Sequence, residues 1–360
     1  MRPSVRSSAD SRRADAVEAS APGVAGAADR TPEPSGRALA ESLAGPLAEL
    51  CDARLSEIRW FRTDWQRGGA ATAHATWRDR PGEAARRVVV KLPVNNRELT
   101  WMRRIQDPDS IDPATGGCLR TAPDPTHAPR LFASGERLDH YELAWIVIEE
   151  LPHGPLGGRW HDDHIARIAE AIAAFAARVA AYAVDRGARH EDWEGLVGRA
   201  RDALRENLIA DRQRWRDALR TVSSRLDGLA EEWESREPLE WIHGDLHFAN
   251  AMSRSAMEAG PVCLIDFAEV RPGHWIEDAV YLERQLWARP ERLRARRPVK
   301  AIAEARRAAG VESPGDFNRL ATLRRCLLAA TAPAFLKSEG APPYLAACLA
   351  RLETSIAQLA

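Results

Sequence analysis

Two short apolar runs that each end in polar side chains constrain this chain more than any other feature. Trp241-Ile242 leads into His243-Gly244-Asp245-Leu246-His247-Phe248-Ala249-Asn250, and Val262-Cys263-Leu264-Ile265 leads into Asp266-Phe267. Short apolar runs bounded by polar and turn residues read as buried strands. A buried strand that ends in a carboxylate has to deliver it to a cleft or to the surface, because an unpaired buried charge is too costly. Gly244 marks a tight turn in which the backbone can present Asp245.

The residue types in this stretch fit one chemistry in particular. A carboxylate such as Asp245 can orient a hydroxyl and take its proton, and the order of groups suits phosphoryl transfer to that hydroxyl. Asn250 and Asp266 are hard oxygen donors of the kind magnesium prefers, and magnesium completes its shell with water and substrate phosphates. Taken singly, Asp245 reads as a turn aspartate bonded to its own backbone, and Asp266 as a solvated strand end. Their occurrence together with Asn250 favours the chemical reading.

At 360 residues the chain is too long for one compact core, which predicts two lobes. The formal charge of -1 gives no whole-molecule pull toward nucleic acid or an anionic membrane. Cys51, Cys118, Cys263, Cys326 and Cys348 are odd in number and form no CxxC pair. They read as small buried apolar residues in a reducing cytoplasm, not as a disulfide framework or a zinc cage. No run of about eighteen apolar residues exists to span a bilayer. Arg12-Arg13 lacks the apolar stretch that an export signal needs behind it. No feature of the sequence bears on oligomeric state.

Residues 1–38 hold hardly any large apolar side chain and are expected to form a disordered tail. Leu39, Leu43, Leu47 and Leu50 then recur at helical spacing. Strands are expected at Ile58–Phe61, Ala73–Trp77 and Arg87–Leu92, followed by a helix over Arg97–Ile105 and a loop over 106–129. Two more strands are expected at Arg130–Gly135 and Tyr141–Glu149. Leu151-Pro152-His153-Gly154-Pro155 punctuates the chain and divides a nucleotide-binding lobe, 39–151, from a catalytic and acceptor-binding lobe, 152–360. The second lobe opens on a helix with Ile165, Ile168, Ile172, Phe175, Val179 and Tyr182 on one face, closed by Gly187. Helical sequence follows from Asp192 to Trp233 and again from Ile276 onward. The expected class is α+β: a small antiparallel-sheet lobe, a hinge, and a larger, mostly helical lobe holding two short strands.

The pattern HGDLHxxN followed by IDF resembles the aminoglycoside phosphotransferase and choline kinase-like family, whose fold is that of protein kinases. Protein kinases carry Arg where this chain has Gly244 and Lys where it has His247, whereas small-molecule kinases carry the Gly and His versions. The resemblance covers roughly residues 55 to 290. It implies that Asp245 is the catalytic base, that Asn250 and Asp266 bind Mg2+, and that His243 and His247 shape the loop. It further implies that Lys91 in RVVVKL holds ATP phosphates and that Glu98 on the next helix holds Lys91. Val147-Ile148-Glu149-Glu150-Leu151-Pro152 is similar to the family hinge, so main-chain groups of Glu149 and Leu151 would read the adenine edge, with GTP as a second candidate nucleotide. Gly68 and Gly69 stand where the family's phosphate-cradling loop falls, though with Ala70 and Ala71 in place of its usual polar residues. Pro272-Gly273 and Glu277-Asp278-Ala279 resemble a family stretch in which Asp278 would brace the catalytic loop. The implied activity is transfer of the ATP γ-phosphoryl group to a hydroxyl of a small molecule. The thinned glycine loop motivates an alternative, a nucleotide-binding regulatory module without turnover. A protein kinase is a third reading, disfavoured by Gly244, His247 and the absence of an activation segment.

Three further features invite functional readings. Trp160-His161-Asp162-Asp163-His164 has metal-binding residue types, but its place before a helix predicts N-terminal capping by the aspartates. The arginine-rich stretch from Arg284 to Arg325 is expected to form solvated helix faces. Trp193, Trp215, Trp233 and Trp287 are expected to serve packing before any aromatic ligand wall.

Overall fold

The structure is a computed structural model that describes residues 36–360, apart from 64–69, 108, 110, 120–124, 159, 185, 257–259, 294–295 and 312–315. The expected tail up to residue 35 and the glycines at 68 and 69 lie outside the described residues, whereas residues 36–38, expected in the tail, belong to the first helix. The first half of the described chain runs α1 (Gly36–Leu50), β1 (Leu55–Arg62), β2 (Ala71–Trp77), β3 (Arg86–Leu92), α2 (Asn96–Arg104), β4 (Leu131–Gly135) and β5 (Trp145–Glu149). The strands form one antiparallel sheet in the order β1-β2-β3-β5-β4. Its logic is the two-residue period of β3. Val88, Val90 and Leu92 are buried on one face, which turns Lys91 to the other. Ala40, Leu43, Leu47 and Cys51 of α1 and its end pack under the apolar face. Leu50, expected in that stripe, is half exposed, and Cys51 takes its place one position on. The last strand starts at Trp145, later than expected, because Tyr141 pairs with Leu138 in a tight turn. Asn95 caps α2 by accepting the Glu98 N–H at 2.7 Å.

The second half contains α3 (His164–Val179), α4 (Trp193–Glu206), α5 (Arg212–Ser223), α6 (Leu226–Glu234), β6 (Glu240–Ile242), β7 (Ala251–Ser253), β8 (Val262–Leu264) and β9 (Arg271–Gly273). It ends with α7 (Ile276–Arg284), α8 (Pro298–Ala308), α9 (Phe317–Thr331), α10 (Leu336–Glu339) and α11 (Pro342–Leu359). The two strands expected from the sequence, β6 and β8, do not pair with each other. Each pairs with a strand the sequence did not reveal, β6 with β9 and β8 with β7. Three residues are too few to display a period. α3 ends at Val179, short of the expected Tyr182, whose ring instead meets Trp101 edge-on at 5.9 Å. The expected aspartate caps are absent. Asp163 sits at the N-cap with helical backbone angles and no side-chain capping bond, pairing instead with Arg167 at 3.9 Å, and Asp162 accepts from Trp160 Nε1.

The arginine-rich stretch also departs from expectation. Arg306 and Arg324 are buried, paired with Glu240 and Glu191, and Arg325 grips Glu283 through two hydrogen bonds. Charges removed from water persist only when paired. A further buried pairing is that of Glu277, 3 % exposed, which meets both Arg236 at 3.0 Å and Arg271 at 2.8 Å. The rings of Trp233 and Trp193 lie against these guanidiniums, so those tryptophans pack the interior, as do Trp215 and Trp287. Burial alone would raise the Glu277 carboxyl, but Arg271, Arg324 and Arg236 outweigh it and hold it at about 2, against an ordinary 4.5. A depressed folded value means that the unfolded chain binds the extra proton. Glu277 therefore stabilises the fold above 4.5, and that stabilisation is lost as pH falls toward about 2. Glu277→Gln should lower the unfolding free energy by about 3–5 kcal/mol near neutral pH, with the gap to wild type closing below about pH 3, as urea titrations at the two pH values will measure.

Candidate active site

β6 ends at Ile242 and the chain turns through His243, Gly244 and Asp245. The turn needs φ of +79° at Gly244, and a Cβ there would fall 2.2 Å from the Glu269 carbonyl oxygen. The turn is held from α7. The buried Asp278 carboxylate accepts the N–H of His243 at 2.8 Å and of Gly244 at 2.9 Å. Burial pushes Asp278 up to about 7, and the two N–H donors together with Arg271 work against that rise. The bracing role read for Asp278 thus has its hydrogen bonds. Pro272 and Gly273 lie in β9, where Pro272 pairs with Trp241.

His243 is fully buried, and burial lowers it to about 4, so its ring is neutral. One tautomer satisfies both nitrogens: Nε2 donates to the Ile265 carbonyl at 3.1 Å and Nδ1 accepts the Asp245 N–H at 3.4 Å. His247 uses Nδ1 to accept the Ala249 N–H, which leaves Nε2 to donate to Asp245 Oδ2 at 3.3 Å. Asn250, buried, donates from Nδ2 to the same Oδ2 at 3.1 Å and to the Asp245 carbonyl at 3.0 Å. The Tyr281 hydroxyl is near enough to favour the charged form of this carboxylate. The His247 contact foremost, and Tyr281 with it, outweigh desolvation and hold the Asp245 carboxyl below its ordinary value, so it is ionised near neutral pH.

The second group of residues meets where β3, α2 and the end of β8 converge. Lys91 Nζ lies 2.6 Å from Glu98 and 3.4 Å from Asp266 Oδ1. Burial pulls the Lys91 ammonium down, but the two carboxylates outweigh it and hold its pKa above the usual value. Asp266 follows Ile265 in a left-handed conformation, φ 64°, uncommon for a residue with a side chain. The Ile265 N–H donates to the Asn250 carbonyl at 3.0 Å, which ties the Asp245–Asn250 group to Asp266 through one backbone step. With Nδ2 of Asn250 engaged by Asp245, its amide oxygen is left for another partner, and Asp266 is 42 % exposed. One amide oxygen and one carboxylate are a donor set that fits magnesium shared with phosphates.

Of the residues predicted from sequence, Lys91, Glu98 and Asp266 are brought into contact, as are Asp245 and Asn250. Glu149 and Leu151 occupy the end of β5 and the segment after it. The Glu149 N–H is taken by the Arg130 carbonyl, and its carboxylate by Arg254. Leu151 is buried, and its N–H bonds no backbone carbonyl among the described residues. Sequence reasoning missed Tyr281 and Arg254. Tyr281 was within reach, since it stands three residues beyond Asp278 on the same helix. Arg254 had no motif to mark it.

The model of the phosphotransferase enzyme family matches residues 82–313, and the chain belongs to that family. None of the curated proteins matches it. Similar solved structures include an aminoglycoside phosphotransferase from Alicyclobacillus acidocaldarius, 16% identical, with 79% of this chain and 89% of that one covered and a TM-score of 0.49. A choline/ethanolamine kinase family protein from Mesorhizobium loti is 10% identical, with 88% and 94% covered and a TM-score of 0.49. A microcompartment-associated aminopropanol kinase is 15% identical, with 84% and 90% covered and a TM-score of 0.47. At such identities, what those proteins act on is theirs alone.

The turn yields a paired prediction. Gly244→Ala should lower the unfolding free energy by about 1–3 kcal/mol, since alanine is strained at positive φ and meets backbone there. Gly198→Ala, in α4 with nothing within 4 Å of the added carbon, should instead raise it by about 0.5–1 kcal/mol. Denaturant titration of the two variants beside wild type will read both signs.

Proposed function

We propose that the protein is a small-molecule kinase that moves the γ-phosphoryl group of ATP, with GTP as a second candidate donor, onto a hydroxyl of its acceptor. The observation that carries this reading is the ion pairing of Lys91 with both Glu98 and Asp266, while Asp245 and Asn250 are bonded together one backbone step away. Family membership supports the transfer chemistry. In this reading residues 39–151 bind the nucleotide, residues 152–360 supply the base and the acceptor pocket, and Gly68 and Gly69 cover the phosphates.

Glu98 orients the Lys91 ammonium toward the α- and β-phosphates. The Glu149 carbonyl and the Leu151 N–H meet the edge of the base. Asn250 and Asp266 hold Mg2+, which when bound neutralises phosphate oxygens. Asp245 orients the acceptor hydroxyl and takes its proton late, because the transition state of phosphoryl transfer is loose. His247 and Asn250 both engage Asp245 Oδ2, which orients that carboxylate. The His247 contact foremost, with Tyr281, outweighs desolvation and holds the Asp245 carboxyl below its ordinary value, which suits a base.

Asp245→Asn keeps the shape of the site and removes the base. It should slow turnover by roughly two to four decades while nucleotide binding stays within about threefold of wild type. Lys91→Ala should instead weaken nucleotide binding by at least about tenfold. ADP release over a panel of hydroxylated metabolites and antibiotics, beside binding of a fluorescent ATP analogue, tests both. A wild-type protein that releases no ADP on any acceptor, with Asp245→Asn indistinguishable from it, would sink the proposal.

A further inference from the structure

Outside the motif, one side chain joins the hinge to the strand pair that carries both oxygen donors. Arg254, the residue after β7, grips Glu149 through two hydrogen bonds of 2.7 Å. The same guanidinium donates to the carbonyls of Ala128 at 2.7 Å and Thr126 at 3.1 Å, and lies 3.2 Å from Cys263 Sγ in β8. Glu149 Oε2 also accepts the Arg130 N–H at 3.1 Å. The two side chains are 24% and 20% exposed, so water competes little for the pair. A forked guanidinium–carboxylate contact fixes direction as well as distance.

The backbone continues the connection. His153 and Ser253 exchange N–H···O bonds of 3.2 and 2.7 Å, and the Leu156 N–H donates to the Ala251 carbonyl at 3.1 Å. Asn250 immediately precedes β7, and Asp266 follows β8 by one residue. The segment 149–156 and the two oxygen donors therefore belong to one hydrogen-bonded unit, with Arg254 as its side-chain clasp.

We propose that Arg254 is a positioning residue: acting through Glu149, it sets the span between the backbone that meets the nucleotide base and the side chains that hold the metal, so that one nucleotide is gripped at both ends. This rests on the nucleotide reading given above. A ligand that engages both ends gains from a correct span as a linked pair of ligands does from a linker of the right length. A ligand that engages one end alone is indifferent to the span.

The test is calorimetric titration of the full chain with adenosine, which reaches only the hinge, and with the ATP analogue AMP-PNP plus Mg2+, which reaches both ends. Arg254→Lys retains the charge and replaces the fork by a single point contact, so it keeps the fold where Arg254→Ala risks losing it. It should weaken AMP-PNP binding about tenfold and adenosine binding by less than about threefold. Glu149→Gln should do the same, and the double variant should lose no more than the weaker-binding single one, because both act through one contact. Equal losses for the two ligands, no loss for either, or additive losses in the double variant would overturn the proposal. Wild type that binds neither ligand would remove the nucleotide reading and this inference together, a result distinct from wild type that binds both and a variant that binds as well.

Discussion

The candidate site depends on a single buried carboxylate accepting two neighbouring N–H groups. Asp278 lies deep in the interior, where an ionised acid is expensive, and the His243 and Gly244 amides are the groups that make its position tenable. The exchange works in both directions. The amides gain a strong acceptor, and the turn is held in a conformation that only glycine adopts comfortably. With the turn fixed, the His243 ring reaches the Ile265 carbonyl, and the residue before Asp266 is thereby located from the side of Asp245. One acid thus holds the turn at 243–244 directly and, through the His243 ring, the Ile265 carbonyl beside Asp266.

From that anchor the two short strand pairs act as rulers. β6 and β9 aim the turn, and β7 and β8 place Asn250 beside Ile265. Lys91 arrives from the five-stranded sheet because the alternation of β3 buries Val90 and Leu92 on the opposite face. Glu98 arrives because Asn95 starts α2 at a position that puts it on the buried face with Leu99 and Met102. Local rules thus fix each side chain, and burial brings the groups together.

Much of this was legible in the sequence. Apolar β3 is long enough to read as a strand, the helix expected from Arg97 starts within one residue of that position, and the acids after β6 and β8 stand at strand ends. The strands β7 and β9 were not legible, since three residues with a proline or a serine among them carry no pattern. Nor were the partners of the arginines. A helix rich in Arg reads as solvated by composition, and only the tertiary fold reveals that Glu191, Glu240 and Glu283 wait opposite them. Arg254 escaped notice for the same reason: its acceptors come from three places in the chain, and no spacing records that.

The left-handed backbone at Asp266 has a consequence for how this protein can change. Glycine would relax that position but has no carboxylate, and any other residue that keeps an acid keeps the strain, on the order of 1–3 kcal/mol. Selection for hardiness and selection for chemistry therefore pull this codon in opposite directions. Under the function proposed above, a lineage released from turnover would be free to drift here toward glycine and become more heat-resistant, so the side chain at this one site would mark whether its descendants still need the acid.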